Sequence, residues 1–200
     1  MITPSHIIYS WALAKKTEKV SQNNRKRTIA IVLGALFPDT PTYLFFIVYG
    51  LILGYSGPVM WDNLYYNSGW AIPITLTHSF IIWPLLIGIS SYAGWKLVKW
   101  FSLSAFFHSL VDFCVHTDDA YRHFWPLSDW KFQSPISYYN PAEYGLYVGA
   151  LDSLFVLGLL GYLFTIYAGR WRLLILAVGA LYVFRLIMEP LFISGMHHGT

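Results

Sequence analysis

The chain has little charge. Only 12% of its 200 residues are Asp, Glu, Lys or Arg, about half the share in an ordinary soluble domain. That scarcity excludes a soluble globular fold. Cysteine occurs once, at Cys114, so no intramolecular disulfide is available and the residue reads as a small packing side chain. No cleavable signal peptide is visible, because the basic run follows the first apolar stretch instead of preceding it. No nucleic-acid-binding module is visible either. Asn140-Pro141-Ala142 is a turn and cannot be a glycosylation acceptor. No inverted repeat is evident, which argues against a transporter.

Apolar residues are abundant, at 56%, and aromatic residues reach 19%. The pattern predicts an all-α, polytopic membrane protein with about five spans, near 29–54, 71–95, 97–115, 144–168 and 171–193. Each approaches the ~20 residues that cross the hydrocarbon core. Pro38-Asp39-Thr40-Pro41 predicts a break in the first span. The second and third spans predict a hairpin around 94–98. The segment from Ser5 to Lys16 is too short to cross, at about 18 Å if helical. It reads as an amphipathic surface helix, or as one that dips in with His6 at its deep end. The whole chain, 1–200, reads as one membrane domain, with the polar residues of interest in 1–130 and two further spans in 144–193.

Charge placement orients these spans. Ten of the 13 basic residues (Lys15, Lys16, Lys19, Arg25, Lys26, Arg27, Lys96, Lys99, Arg170 and Arg172) fall on one side under strict alternation. Glu18 alone among the acids shares that side. The positive-inside rule makes it cytoplasmic in a multi-pass inner (plasma) membrane protein. The loop from His116 to Glu143 then lies outside. It holds Tyr121, Phe124, Trp125, Trp130, Phe132, Tyr138 and Tyr139. These form an interfacial belt, or a lid over a site that meets lipid head groups.

Against this apolar background, ionisable residues inside spans are expensive and mark functional sites. His108 and Asp112 stand four apart and share one helix face. Asp39 sits mid-span, and His78 about seven residues into its span from the outer side. All four can lie at similar depth. Imidazole and carboxylate are ligands for a divalent metal, zinc above all. His6 is a further candidate ligand, and His6, His116 and His123 could serve a second ion. The bland readings are an N-cap role for Asp39 and a mutual hydrogen bond for His108 with Asp112. Asp118 and Asp119 read as solvated acids, and His197 and His198 as tail. Asp152 and Arg185 lie at similar depth and predict a buried ion pair, with Glu189 one turn beyond Arg185.

On these residues the chain resembles a group of bacterial inner-membrane metal-dependent hydrolases, LexA-regulated and distantly similar to zinc-dependent phospholipase C. The shared pattern is an early His6, Leu36-Phe37-Pro38-Asp39, Thr77-His78-Ser79, His108-Ser-Leu-Val-Asp112 and Phe124-Trp125-Pro126. The resemblance covers about residues 1–130. It implies a metal site of His6, Asp39, His78, His108 and Asp112, with His108 and Asp112 at the catalytic centre. Two positions depart from the pattern. Pro41 stands where a second acid is common, and Pro73-Ile74-Thr75 where His-Arg-Gly is common. A one-metal enzyme and a member that kept only the scaffold are both compatible with these losses.

Two functions follow. One is a membrane-embedded metal-dependent hydrolase of an ester or phosphoester, with a lipid as candidate substrate and metal-activated water as nucleophile. The other is a non-catalytic accessory subunit that packs against partner subunits or pigments in a membrane complex.

Overall fold

The computed structural model describes residues 2–17 and 25–197, and the side chains of all of these except Tyr66 and residues 190–197. Glu18 and Lys19 of the charge count, and His198 of the tail, lie outside the described residues. Every regular element among them is helical. Helix α1 (Thr3–Lys16) is followed by α2 (Arg25–Leu36), a 3-10 turn (Phe37–Asp39), α3 (Thr40–Phe45) and a π-helical stretch (Phe46–Ile52). After a second π-helical stretch (Val59–Leu64) come α4 (Tyr65–Asn67), α5 (Ala71–Thr77), α6 (Ile82–Tyr92) and α7 (Lys96–Phe113). A 3-10 turn (Pro141–Glu143) precedes α8 (Gly145–Ile166) and α9 (Arg170–His197).

Among the described residues, three helical runs are long and apolar enough to cross a membrane: Arg25–Ile52, Gly145–Ile166 and Arg170–Glu189. A fourth crossing exists if Ala71–Thr77 and Ile82–Tyr92, bent by 50° at their junction, form one span. The five-span count is therefore not reached on length and apolarity. Helix α7 is the one that falls short. It carries Lys96, Lys99, His108 and Asp112, and its buried face is Ser102, Ser104, Ala105, His108, Ser109 and Asp112.

At the prolines the α-helix is interrupted by the 3-10 turn Phe37–Asp39, but the span does not bend sharply there. Arg25–Ile52 is one continuous helical run. Pro38 and Pro41 each stand in the first turn of a helical segment, the 3-10 turn and α3 respectively. There a missing N–H costs nothing, because first-turn donors have no partner within the helix. The bend lies instead at His78–Ile81, which holds no proline or glycine. Ser79 Oγ accepts from the backbone N–H groups of Ile81 and Ile82, at 3.1 and 3.2 Å, and so restarts the helix.

Contacts divide the chain into two compact units. The first contains Met1–Asn23, Cys114–Asp119 and Gln133–Thr200. In it α1 packs on α8, and α8 on α9. The inner face of α1 is mixed: Ser5, His6 and Ser10 are buried along with Ile8, Tyr9, Ala12 and Ala14, while Leu13 is 53% exposed. The reason is Asp152 of α8. Its carboxylate accepts from Ser5 Oγ (2.8 Å), from Tyr9 OH, and from Arg185 of α9 (2.9 Å). Arg185 also pairs with Glu189 at 3.0 Å, as the spacing predicts. Gly149 leaves the room for this, since a Cβ there would meet Arg185 and Glu189 at 3.0 Å. Asn140 caps the 3-10 turn through Ala142 N–H (3.0 Å). Asp119 pairs with His116 at 2.8 Å, so it is not merely a solvated acid.

The second unit contains Asn24–Phe113 and Ala120–Phe132. Helices α6 and α7 form the expected hairpin, turning at Gly94 in the left-handed region (φ +72°). Helix α2 lies close along α7. A Cβ on Gly34 would sit 2.2 Å from the Phe101 carbonyl oxygen. Residues 120–132 fold against the bend between α5 and α6, where Phe80 N–H donates to the His123 carbonyl (2.6 Å) and Ser79 Oγ to that of Trp125 (2.6 Å).

Candidate metal centre

Asp39, His78, His108 and Asp112 come together inside the second unit. One ligand atom from each lies within 4.8 Å of all the others. The 3-10 turn supplies Asp39, the bend after α5 supplies His78, and one face of α7 supplies His108 and Asp112. His78 and His108 are fully buried, Asp112 is 1% exposed, and the Asp39 side chain 13%.

Backbone carbonyls set the imidazole orientation. His108 Nδ1 donates to the carbonyl of Ala35 at 2.7 Å, and His78 Nδ1 to that of Ile74 at 2.9 Å. A carbonyl only accepts, so each Nδ1 carries the proton and each neutral ring presents Nε2 as a lone pair. Both Nε2 atoms face both carboxylates. His108 Nε2 lies 3.0 Å from Asp112 Oδ2 and 3.5 Å from Asp39 Oδ1. His78 Nε2 lies 3.6 and 3.7 Å from the same two oxygens. Four lone-pair donors thus converge, with two negative charges, among apolar helices. Such a set requires a cation, or an extra proton on each imidazole.

The spacing fits a cation. Zinc–nitrogen and zinc–oxygen bonds of about 2.0–2.1 Å put tetrahedral ligand atoms roughly 3.3–3.4 Å apart. The four cross-distances, 3.0, 3.5, 3.6 and 3.7 Å, bracket that edge. Nδ1–H bonds to carbonyls are the usual outer support of metal-bound histidines. The group could therefore hold a metal ion.

The surrounding residues explain the motifs. Thr77 Oγ1 donates to the Pro38 carbonyl (2.8 Å), tying the turn that carries Asp39 to the bend that carries His78. Trp83 Nε1 donates to the Thr77 carbonyl (2.8 Å). Asp39 stands at the cap position of α3, yet its side chain makes no capping bond. The plain N-cap reading therefore fails, because the carboxylate turns to the histidines. Tyr121 stacks on the His78 ring, with centroids 3.9 Å apart and planes at 19°. Its loop position gives no sequence signal beyond aromatic content. The accepting carbonyls of Ala35 and Ile74 carry none at all.

Other candidates lie elsewhere. His6 belongs to the first unit, buried on α1, and is not in the group. His116 also belongs to the first unit, beside Asp119. His123 sits between Phe80 and Phe113, at centroid distances of 4.7 and 5.3 Å, with Nδ1 toward the Tyr121 carbonyl (3.2 Å). Among the described residues there is one candidate metal group, so the second ion has no site there.

The aromatic loop residues are half-buried or exposed. Phe124 and Phe132 pack on Phe80 and Phe113, while Trp130 stays 55% exposed.

No curated protein and no solved structure matches the chain. A family of inner-membrane proteins does match, over residues 1–192. Its description names a membrane and no activity, so the chemistry rests on the four buried ligands. Apolar helices and this match agree: the chain belongs to the YdjM inner membrane protein family.

Proposed function

We propose that the chain is a membrane-embedded, metal-dependent hydrolase of an ester or phosphoester, with lipids as the candidate substrates. The observation that carries this reading is the convergence of two Nε2 lone pairs and two carboxylates on one buried point. Zinc suits the ligand types and spacing, and when bound it supplies a Lewis acid and an activated water at neutral pH. His78, His108 and Asp112, the three deeply buried groups, hold the ion. His108 and Asp112 form the catalytic pair on α7, with the imidazole held by Ala35. Asp39 is the ligand with surface exposure. As the most accessible of the four, it would be the group nearest to substrate and able to accept a proton, while the other three would hold the ion.

The test is metal analysis of the purified full chain. About one ion per chain is expected, and His108→Ala/Asp112→Ala should lose it. Metal far below one per chain, and unchanged in that variant, sinks the reading.

A second reading has its own support. Four protein ligands close a tetrahedral site, as structural zinc does. The chain is then a metal-stabilised accessory subunit without turnover. Stoichiometric metal, a large fall in melting temperature on chelation, and no hydrolysis of ester or phosphoester lipids would select it.

In either case we propose five crossings, with α7 as the one that carries ligands inward. Its Leu97, Val98 and Leu110 are exposed outward, as lipid-facing residues should be. The basic loops face the cytoplasm. A cysteine at position 67 should then react with an impermeant reagent added outside, and protection there reverses the orientation.

A further inference from the structure

Far from the ligands in sequence, cations and aromatic rings gather where α1 ends and α8 turns into α9. α8 and α9 are both apolar enough to cross a membrane. Their joining turn, 167–169, therefore lies where hydrocarbon gives way to head groups. Trp11 Nε1 donates to Tyr167 OH (2.9 Å). The Trp11 ring meets Tyr167 at 5.2 Å and Trp171 at 6.1 Å. Lys15 Nζ lies over the Tyr167 ring, 5.7 Å from its centroid. Lys16, Arg170 and Trp171 are exposed at the same end. Arg172 is already engaged there. Its Nε donates to the carbonyls of Phe164 (3.2 Å) and Tyr167 (2.8 Å), closing the end of α8.

Acids do not balance this end among the described residues. The described acids of this unit are Asp118, Asp119, Glu143, Asp152 and Glu189, while Glu18, outside the described residues, follows Lys16 in the sequence. Along α8, Asp152 precedes the helix end at Ile166 by about 21 Å of helix. Counted from the sequence, segments 15–19 and 170–172 carry five cations and one acid, so this end is net positive at head-group level, with Lys16 and Arg170 exposed beside Trp11, Tyr167 and Trp171.

We propose that this end of the unit is a binding surface for an anionic phospholipid of the surrounding bilayer. Indole and phenol rings prefer the interfacial layer and fix the height of the patch. Each cation near an anionic membrane surface favours binding roughly fivefold, and the effect fades with salt. Stacking on Tyr167 holds Lys15 in place, so less freedom is lost on binding. The metal centre plays no part in this surface.

The test uses the full chain in neutral detergent with phosphatidylglycerol or phosphatidylcholine added, read by retained lipid in native mass spectrometry and by melting temperature. Phosphatidylglycerol should be retained at least tenfold better and should raise the melting temperature. Lys15→Gln/Lys16→Gln/Arg170→Gln should erase that preference while melting like wild type in phosphatidylcholine. Should that variant not fold, raised salt on the wild type decides, and the preference should vanish there too. Equal retention of both lipids, an unchanged preference in the variant or at high salt, or the same stabilisation by inorganic phosphate would each overturn the proposal.

Discussion

His78 and His108 are committed by their neighbours before any ligand arrives. Each Nδ1–H is held by a carbonyl, and each Nε2 is turned to Asp39 and Asp112. Thr77 does similar work one step out, through its bond to the Pro38 carbonyl. Thr77→Val keeps the shape and removes that bond. Supporting bonds of this kind are worth about 10–100-fold in metal affinity, so competition with a chelator should show a loss of roughly tenfold. Unchanged affinity would mean the bond only shapes the bend. The four residues of the cluster were legible in the sequence because histidine and aspartate inside apolar runs need a reason to be there. His6 looked alike by that criterion and did not join them. Its burial beside Ser5 and Tyr9 is set by packing against α8, which no local pattern announces. The Ala35 and Ile74 carbonyls and the Tyr121 stack were equally silent, since each depends on where the chain returns in space.

Among the elements, the close approach of α2 and α7 positions the Ala35 carbonyl under His108. Gly34 permits it, with the Phe101 oxygen 2.2 Å and the Ser104 Cβ 3.0 Å from where its own Cβ would be. Gly34→Ala must push the helices apart. Overpacking of this sort costs about 1–3 kcal/mol, and it also moves Ala35 away from His108. Gly88→Ala on α6 has nothing within 4 Å of the added carbon and serves as the control. The expected result is a lower melting temperature and weaker metal binding for the first variant and neither for the second. Equal behaviour of the two would remove the helix contact from the account of the site. Elements were partly legible. Apolar runs located the helices, and Gly94 located the hairpin turn. The bend at His78–Ile81 holds no proline itself; its signal was Pro84 in the first turn of α6, which has no N–H for the Phe80 carbonyl, and the Ser79 hydroxyl then restarts the helix. The prolines at 38 and 41 marked the 3-10 turn between α2 and α3, which interrupts the α-helix without ending the helical run.

At the scale of the whole molecule, the first unit faces a problem of charge in an apolar setting. Asp152, Arg185 and Glu189 lie on helices that can cross a membrane, and together they leave one surplus negative charge. Hydroxyls of Ser5 and Tyr9 take up the remaining Asp152 acceptors, which explains why a short helix with a partly polar inner face is drawn onto α8. The sequence indicated the acid and its basic partner, but not the hydroxyls. Their presence makes the three charges unequal. Arg185→Ala leaves two acids facing each other without a cation, and breaking a buried pair costs about 3–5 kcal/mol at full burial. Arg185 is 19% exposed on its side chain, so the lower end applies. Asp152→Ala leaves Arg185 still paired with Glu189, so it should cost less, mainly through the stranded hydroxyls of Ser5 and Tyr9. Asp152→Ala/Arg185→Ala leaves Glu189 alone, 26% exposed, and should melt above Arg185→Ala but below Asp152→Ala. Melting of the four proteins in one detergent gives the order directly. An Asp152→Ala as damaging as Arg185→Ala, with a double variant worse than either, would show that Asp152 holds the unit through α1 and its hydroxyls more than through the ion pair.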